Sequence, residues 1–172
     1  MMTDLIILRE LNMGDVHQLY AIYSDKEAMK YRGSKPMETI EDAKDYVRNK
    51  EVKEKEVTTI RKGVELTKTK ELIGSVMYRF SEKGTHEYEI GYSIGRQFWG
   101  QGLGKEIVKT MLKAIEAKNE IKDIVAWCNK ENIASIKILE DVGFRRVHRI
   151  EHLNSYLYIK AKSKSRQKEL NQ

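Results

Sequence analysis

Three glycines at alternate positions, Gly100, Gly102 and Gly104, followed by Lys105, have the spacing in this sequence that points most directly to chemistry. Before them Tyr88, Ile90, Tyr92 and Ile94 alternate with Glu87, Glu89, Gly91 and Ser93, which is the period of a strand. After them Ile107, Val108, Met111, Leu112 and Ile115 fall on one face of a helix. A strand that turns through glycines into a helix leaves the first N–H groups of that helix without partners, at the positive end of its dipole. Glycines let an anion approach those groups closely. The N–H groups of residues 101 to 105 therefore form a cradle for a phosphate. The plainer alternative is a helix entered through a flexible turn with no ligand.

The spacing excludes two familiar nucleotide motifs. A P-loop needs glycine five positions before its Gly-Lys pair and Ser or Thr after it, where this chain has Trp99 and Glu106. A dinucleotide fingerprint begun at Gly100 or at Gly102 needs a small residue at position 105 or 107, occupied by Lys105 and Ile107. Cys128 has no histidine near it in sequence and reads as a small hydrophobe, not a nucleophile. His17, His86, His148 and His152 show no triad spacing and read as surface or loop residues. No Cys/His spacing suggests zinc, so no metal is expected.

Gly91-Tyr-Ser-Ile94, followed by Phe98-Trp-Gly-Gln-Gly-Leu-Gly-Lys-Glu106, resembles the acetyl-CoA pyrophosphate loop of the GNAT superfamily of N-acetyltransferases. A second segment, Asn129 to Phe144, resembles the Asn-x-x-Ser helix ending in Gly-Phe of the branch that includes the ribosomal-protein alanine N-acetyltransferases. The two motifs stand in the family's order. Trp99 departs from the Arg or Gln common before the glycine run but is usual in that branch. The resemblance implies acetyl-CoA as cosubstrate, contacted by Tyr92, Ser93 and Ile94, by Gln101, Gly102, Leu103, Gly104 and Lys105, and by Asn132. It also implies that Ser135 approaches the sulfur. Many superfamily members carry a Tyr general acid four residues before the Gly-Phe pair; Leu139 stands there, which leaves Ser135 as the acid. Glu89, on the polar face of the strand leading to the cofactor, is the candidate base, acting directly or through water; the alternative is that it salt-bridges a neighbour. Asn132 can cap its helix as well as touch the pantetheine arm.

These residues need a scaffold, and the pattern along the chain supplies one. Leu5–Leu8 reads as a first strand. Asn12 or Asp15 starts a helix with Val16, Leu19, Tyr20 and Tyr23 on its buried side, and Thr39 caps another, with Asp42 at the capping-box distance and Ile40, Ala43 and Val47 on its apolar face. The charged segment Asn49 to Glu56 reads as a solvated helix end and loop. Strand-like runs through Ile60–Leu66, Leu72–Phe80 and His86–Ile94 make a meander, with a turn through Ser81–Gly84 before the last. A helix to about Lys118, a strand Asp123–Trp127, the Asn132 helix capped by Gly143, and strands Arg145–Ile150 and Tyr156–Ile159 complete the chain. The expected fold is α/β: a single GNAT-type domain over residues 1–160, with a mixed, mostly antiparallel sheet and helices on both faces. Residues 161–172 read as a basic, polar, disordered tail.

At 172 residues the chain can bury a core without disulfides. No apolar run has the length of a membrane span, and the N-terminus lacks a signal pattern, so a cytoplasmic protein is expected. The net charge of +6 is spread over interspersed Lys and Glu, with no basic motif of a nucleic-acid binder. The reading is an acetyl-CoA-dependent N-acetyltransferase, monomer or homodimer, acting on a protein N-terminus or a small amine such as an aminoglycoside or polyamine. The alternative is an acyl-CoA-binding sensor that has kept the fold and lost turnover.

Overall fold

The computed structural model describes residues 5–81, 87–118, 123–150 and 154–161. Strand β1 (Ile6–Arg9) leads through a 3-10 turn, Met13–Asp15, into α1 (Val16–Tyr23), α2 (Lys26–Met29) and α3 (Ile40–Arg48). Strands β2 (Glu51–Glu54), β3 (Val57–Leu66), β4 (Leu72–Ser81) and β5 (Glu87–Ile94) follow, and a second 3-10 turn, Arg96–Phe98, leads to α4 (Leu103–Glu116). The chain then forms β6 (Asp123–Asn129), α5 (Ile133–Asp141), β7 (Arg145–Ile150) and β8 (Ser155–Lys160). The sheet order is β1-β3-β4-β5-β6-β8-β7, with β2 also on β3. Every pairing is antiparallel except β5 with β6.

Each face of the sheet is buried by its own helices. Val76, Tyr78, Tyr88 and Ile90 pack with Ile107, Val108, Met111 and Ile115 of α4 in one cluster. Neighbouring residues on a strand point to opposite faces, and Ser75 bonds the hydroxyls of Tyr23 in α1 and Tyr46 in α3. Those helices bury Val16, Leu19, Ile22, Tyr23, Ala43 and Val47 in a second cluster. The expected caps form: Asn12 and Thr39 each make a capping box, with Asp15 and Asp42. Gly143, at φ +90°, takes the left-handed position after α5.

Two local expectations need correcting and a third extending. Asn49 to Glu56 is not all helix end and loop: Glu51–Glu54 pairs with Val57–Ile60 as a hairpin, turned by Lys55 at φ +55°. Its side chains are almost all exposed, so the composition shows solvation while the backbone takes ladder hydrogen bonds. In α1 the buried side takes in Ile22 as well, and Tyr20 packs against that cluster half-buried, with its hydroxyl on the Glu38 carbonyl. Glu65, expected among the polar positions of β3, is buried beside a register shift between Val64 and Glu65. The turn after Ser81, His86, His152, the His148 side chain and residues 162–172 of the tail lie outside the described parts. Among the described residues no helix is long and apolar enough to cross a membrane.

Glu65 is buried because Arg9 meets it. The Arg9 guanidinium bonds Glu65 through Nε and both Asp15 oxygens at 2.8 Å, tying β1, β3 and the start of α1 together. Burial raises the pKa of Asp15, but the Arg9 bond and the N–H of Asn12 outweigh it and hold the carboxyl below the ordinary 3.8. This contribution to stability is present at neutral pH and is lost as pH falls through the depressed value. Arg9→Met strands two buried carboxylates and should lower unfolding free energy by about 3 kcal/mol; chemical denaturation at pH 7 checks this, and a loss under about 1 kcal/mol would show the network to be solvated.

Candidate active site

The sheet opens where β5 meets β6. Only Glu87, Tyr88 and Glu89 pair with Asp123, Ile124 and Val125. Beyond them β5 runs on against β4 alone, while β6 continues against β8. The edge of β5 from Ile90 to Ile94 thus meets no strand across the gap, and its backbone groups on that side, apart from the Ile94 carbonyl that accepts from Trp99, are left to an extended ligand. Gly74 lets β4 hold this part of β5: a Cβ there would lie 2.1 Å from the Ser93 carbonyl oxygen.

On the α4–α5 side of the gap stand the glycine turn, Tyr92, Asn132 and Ser135. Gly100 and Gly102 have φ of +75° and +76°, and a Cβ at either would meet nothing within 4 Å. Gly102 is the N-cap of α4 and offers no side-chain acceptor, so no side chain caps the first-turn N–H groups of Leu103, Gly104 and Lys105. Gly104 packs against α5; its Cβ would lie 2.8 Å from Ile138 Cδ1. The Lys105 ammonium is paired with Asp141 at 3.0 Å, the Gln101 amide donates to the Gln97 carbonyl, and the exposed Trp99 donates its indole N–H to the Ile94 carbonyl. What these elements present to an anion is backbone.

Asn132 caps α5, its Oδ1 accepting from Ser135 N at 3.1 Å. The capping reading of Asn132 therefore holds, and it leaves the half-buried Ser135 hydroxyl beside the gap. Tyr92 points to the same side. Its phenol makes no hydrogen bond of normal geometry and is pushed up to about 12 by burial, with the nearby Ser135 hydroxyl pulling the other way. The sequence pattern marks Tyr92 as an apolar strand position and a cofactor contact; that its hydroxyl joins Ser135 emerges only from the fold. Leu139 is buried, and the Cys128 thiol is buried, donates weakly to the Asn129 and Asn132 carbonyls, and is pushed up to about 11 by burial. Neither serves as acid or nucleophile.

On the other side of the gap stand Glu89, Gly91 and Ser93, alternate residues of β5. Glu89 lines a groove of about 240 Å³ with Arg79, Val125, Trp127 and Leu157. The ion-pair reading of Glu89 holds loosely, with Arg79 3.7 Å away, and Glu89 also lines the groove. Burial raises its pKa above the ordinary 4.5, and the Arg79 charge partly opposes that. A larger concavity of about 500 Å³, lined by Asp42, Asp45, Asn49 and Arg61 beside α3, touches neither Glu89 nor Ser135. His17 is exposed and far from this chemistry in the chain.

The chain matches the model of the acetyltransferase (GNAT) domain over residues 6–145. It is 30% identical over 144 residues to the uncharacterized N-acetyltransferase YoaA of Bacillus subtilis, covering 84% of this chain and 81% of the relative. Among solved structures, an acetyltransferase of the GNAT family from Bacillus anthracis superposes with a TM-score of 0.76 at 24% identity, over 91% of this chain and 94% of the other. RimL, a ribosomal L7/L12 alpha-N-protein acetyltransferase, superposes with a TM-score of 0.74 at 14% identity, over 93% and 92% of the two chains. That likeness is one of fold.

Two measurements check this site. Gly102→Glu should place a side chain and a negative charge in the open cradle, lowering affinity for CoA by at least about tenfold by calorimetry; a folded variant with unchanged affinity would remove the glycine turn from the site. In an NMR titration, the Glu89 carboxyl should ionise above 4.5, and Arg79→Ala should move its midpoint further up, because the opposing positive charge is gone. A midpoint that stays put in the variant would mean that the two groups do not interact.

Proposed function

This chain belongs to the GNAT acetyltransferase family, and from that premise we propose that it transfers the acetyl group of acetyl-CoA to a primary amine by direct attack through the gap between β5 and β6. The observation that carries the proposal is the placement of Glu89 and Ser135: they face opposite sides of the sheet at one opening. Donor and acceptor can then approach from opposite sides and meet within the sheet. Acetyl-CoA supplies a thioester carbon open to attack and a thiol as leaving group.

The N–H groups of Leu103, Gly104 and Lys105, with the glycines that leave them open, hold the pyrophosphate. The free edge of β5 at Tyr92, Ser93 and Ile94 and the Asn132 side chain hold the extended arm, and Gln101 lines the turn. Glu89, raised by burial, takes the proton of the incoming ammonium, directly or through water. The new C–N bond forms as the C–S bond breaks, Ser135 gives its proton to the departing sulfur, and the second proton that the nitrogen sheds on becoming an amide passes through water to restore the Ser135 hydroxyl. The Tyr92 phenol, pushed up to about 12 by burial, stays protonated at neutral pH beside Ser135. Most of the rate comes from holding amine and thioester together. The free buried thiol of Cys128 fits a reducing, cytoplasmic setting. The amine is a protein N-terminus or a small molecule.

Ser135→Ala should lower kcat by about 10²-fold with little change in CoA affinity, and Glu89→Gln should do likewise with a deficit that shrinks as pH rises and the amine loses its own proton. Rates of thiol release against pH, beside melting temperatures, check both. A Ser135→Ala variant that is less stable but equally fast per folded molecule would reduce Ser135 to a helix-cap residue. CoA binding without thiol release, over a broad panel of amines, would favour a sensor.

A further inference from the structure

One cation on the acceptor side of the sheet, Arg32, is met by hydroxyls and an aromatic ring. Arg32 follows α2, and its guanidinium lies 4.4 Å from the centre of the Tyr23 ring. Nε donates to Ser34 Oγ at 3.1 Å and Nη1 donates to Ser93 Oγ. Among the described residues no carboxylate pairs with it, whereas Arg9, Arg48, Arg79 and Arg96 each have one. Tyr23 and Tyr46, beside it, are tied to Ser75. Burial opposes ionisation of Tyr23, yet the guanidinium charge outweighs it and holds the phenol below its usual value. All the groups that meet Arg32 are hydroxyls and one ring face.

A guanidinium this enclosed is costly unless an anion meets it. Of its five N–H donors, one goes to Ser34 and one to Ser93, and the remaining hydrogen-bonding neighbours are the Tyr23 and Tyr46 hydroxyls, none of them a carboxylate. Paired guanidinium N–H groups match the two oxygens of a carboxylate. Ser93, which anchors the guanidinium, is on the same face of β5 as Gly91 and Glu89. Gly91 to Ser93 spans about 6.6 Å along the strand. A carboxylate on Arg32 would therefore leave an amine a few bonds away level with Gly91, where the strands part and next to Glu89.

We propose that Arg32 binds a carboxylate of the acceptor, and that the acceptor is a small amine carrying that carboxylate, an amino acid. This rests on the acetyl-transfer reading above and names its substrate class. A polycation such as a polyamine would instead bring positive charge against a guanidinium that no carboxylate among the described residues neutralises.

The test compares L-amino acids with their matching primary amides, and with spermidine, by thiol release from acetyl-CoA. The wild type should turn over the best acid at least about 10²-fold faster in kcat/KM than its amide, the scale of losing one partner of an enclosed charge pair. Arg32→Gln should cut the rate with the acid by about the same factor, leave the amide within about threefold, and leave CoA affinity unchanged by calorimetry. The wild-type comparison needs no variant and so holds even if Arg32→Gln fails to fold. Calorimetry with an N-acetyl amino acid and its amide, in the presence of CoA, reads the same contact without turnover. Preference for the acid in that binding, with no thiol release, supports the Arg32 contact and overturns catalysis. Equal handling of acid and amide, or preference for spermidine, overturns the Arg32 proposal and leaves acetyl transfer standing.

Discussion

The parting of β5 from β6 is the constraint on which the rest of this structure depends. Parallel strands in a sheet normally stay paired because each unmade ladder bond leaves backbone groups without partners. Here the pairing stops at Glu89 and Val125. The separation is supported from both sides. Gly74 lets β4 approach Ser93 more closely than any side chain would allow, and β8 pairs with β6 from Ile124 to Asn129. Tyr92, Cys128 and Ser135 gather beside the opening on the α4–α5 side. The result is a passage through the sheet, with a free strand edge along one wall.

On the proposed reaction, this gap in the ladder lets acid and base be modest groups. A carboxylate raised by partial burial and a serine hydroxyl beside a phenol are weak catalysts in water. Placed on opposite sides of one opening, Glu89 and Ser135 would need only to move protons for two reactants that the sheet keeps apart until they meet. The alternation of a strand makes the arrangement possible: Glu89 and Tyr92 are three residues apart and so face opposite ways.

The arginines show how the same residue type is treated differently by position. Arg9 is matched by two carboxylates and joins β1, β3 and α1. Arg79 sits loosely beside Glu89, and Arg96 is paired with Asp25 where β5 gives way to the glycine turn. Arg32 alone of these is surrounded by hydroxyls and an aromatic ring. On the proposal above, the acceptor's own carboxylate supplies the counter-charge that the described residues do not.

What the sequence determined by itself is local. The period of β5, the glycine turn and the apolar face of α4 follow from side-chain spacing, and so do the caps at Asn12, Thr39 and Gly143. The resemblance in two short motifs added the family and the residues near the gap. Other features depend on contacts between distant parts of the chain, which no periodicity records. Glu51–Glu54 became a strand because β3 offered an edge, although its charges read as solvent-exposed loop. Glu65 became buried because Arg9, 56 positions away, neutralises it. Tyr92 looked like one more apolar strand residue until α5 brought Ser135 to its hydroxyl. Arg32, in a polar loop with no motif, gained meaning only when α1, α3, β4 and β5 placed Tyr23, Tyr46, Ser75 and Ser93 around it. Electrostatic environment is a property of three-dimensional neighbours, and tertiary packing alone decides which charges keep a partner.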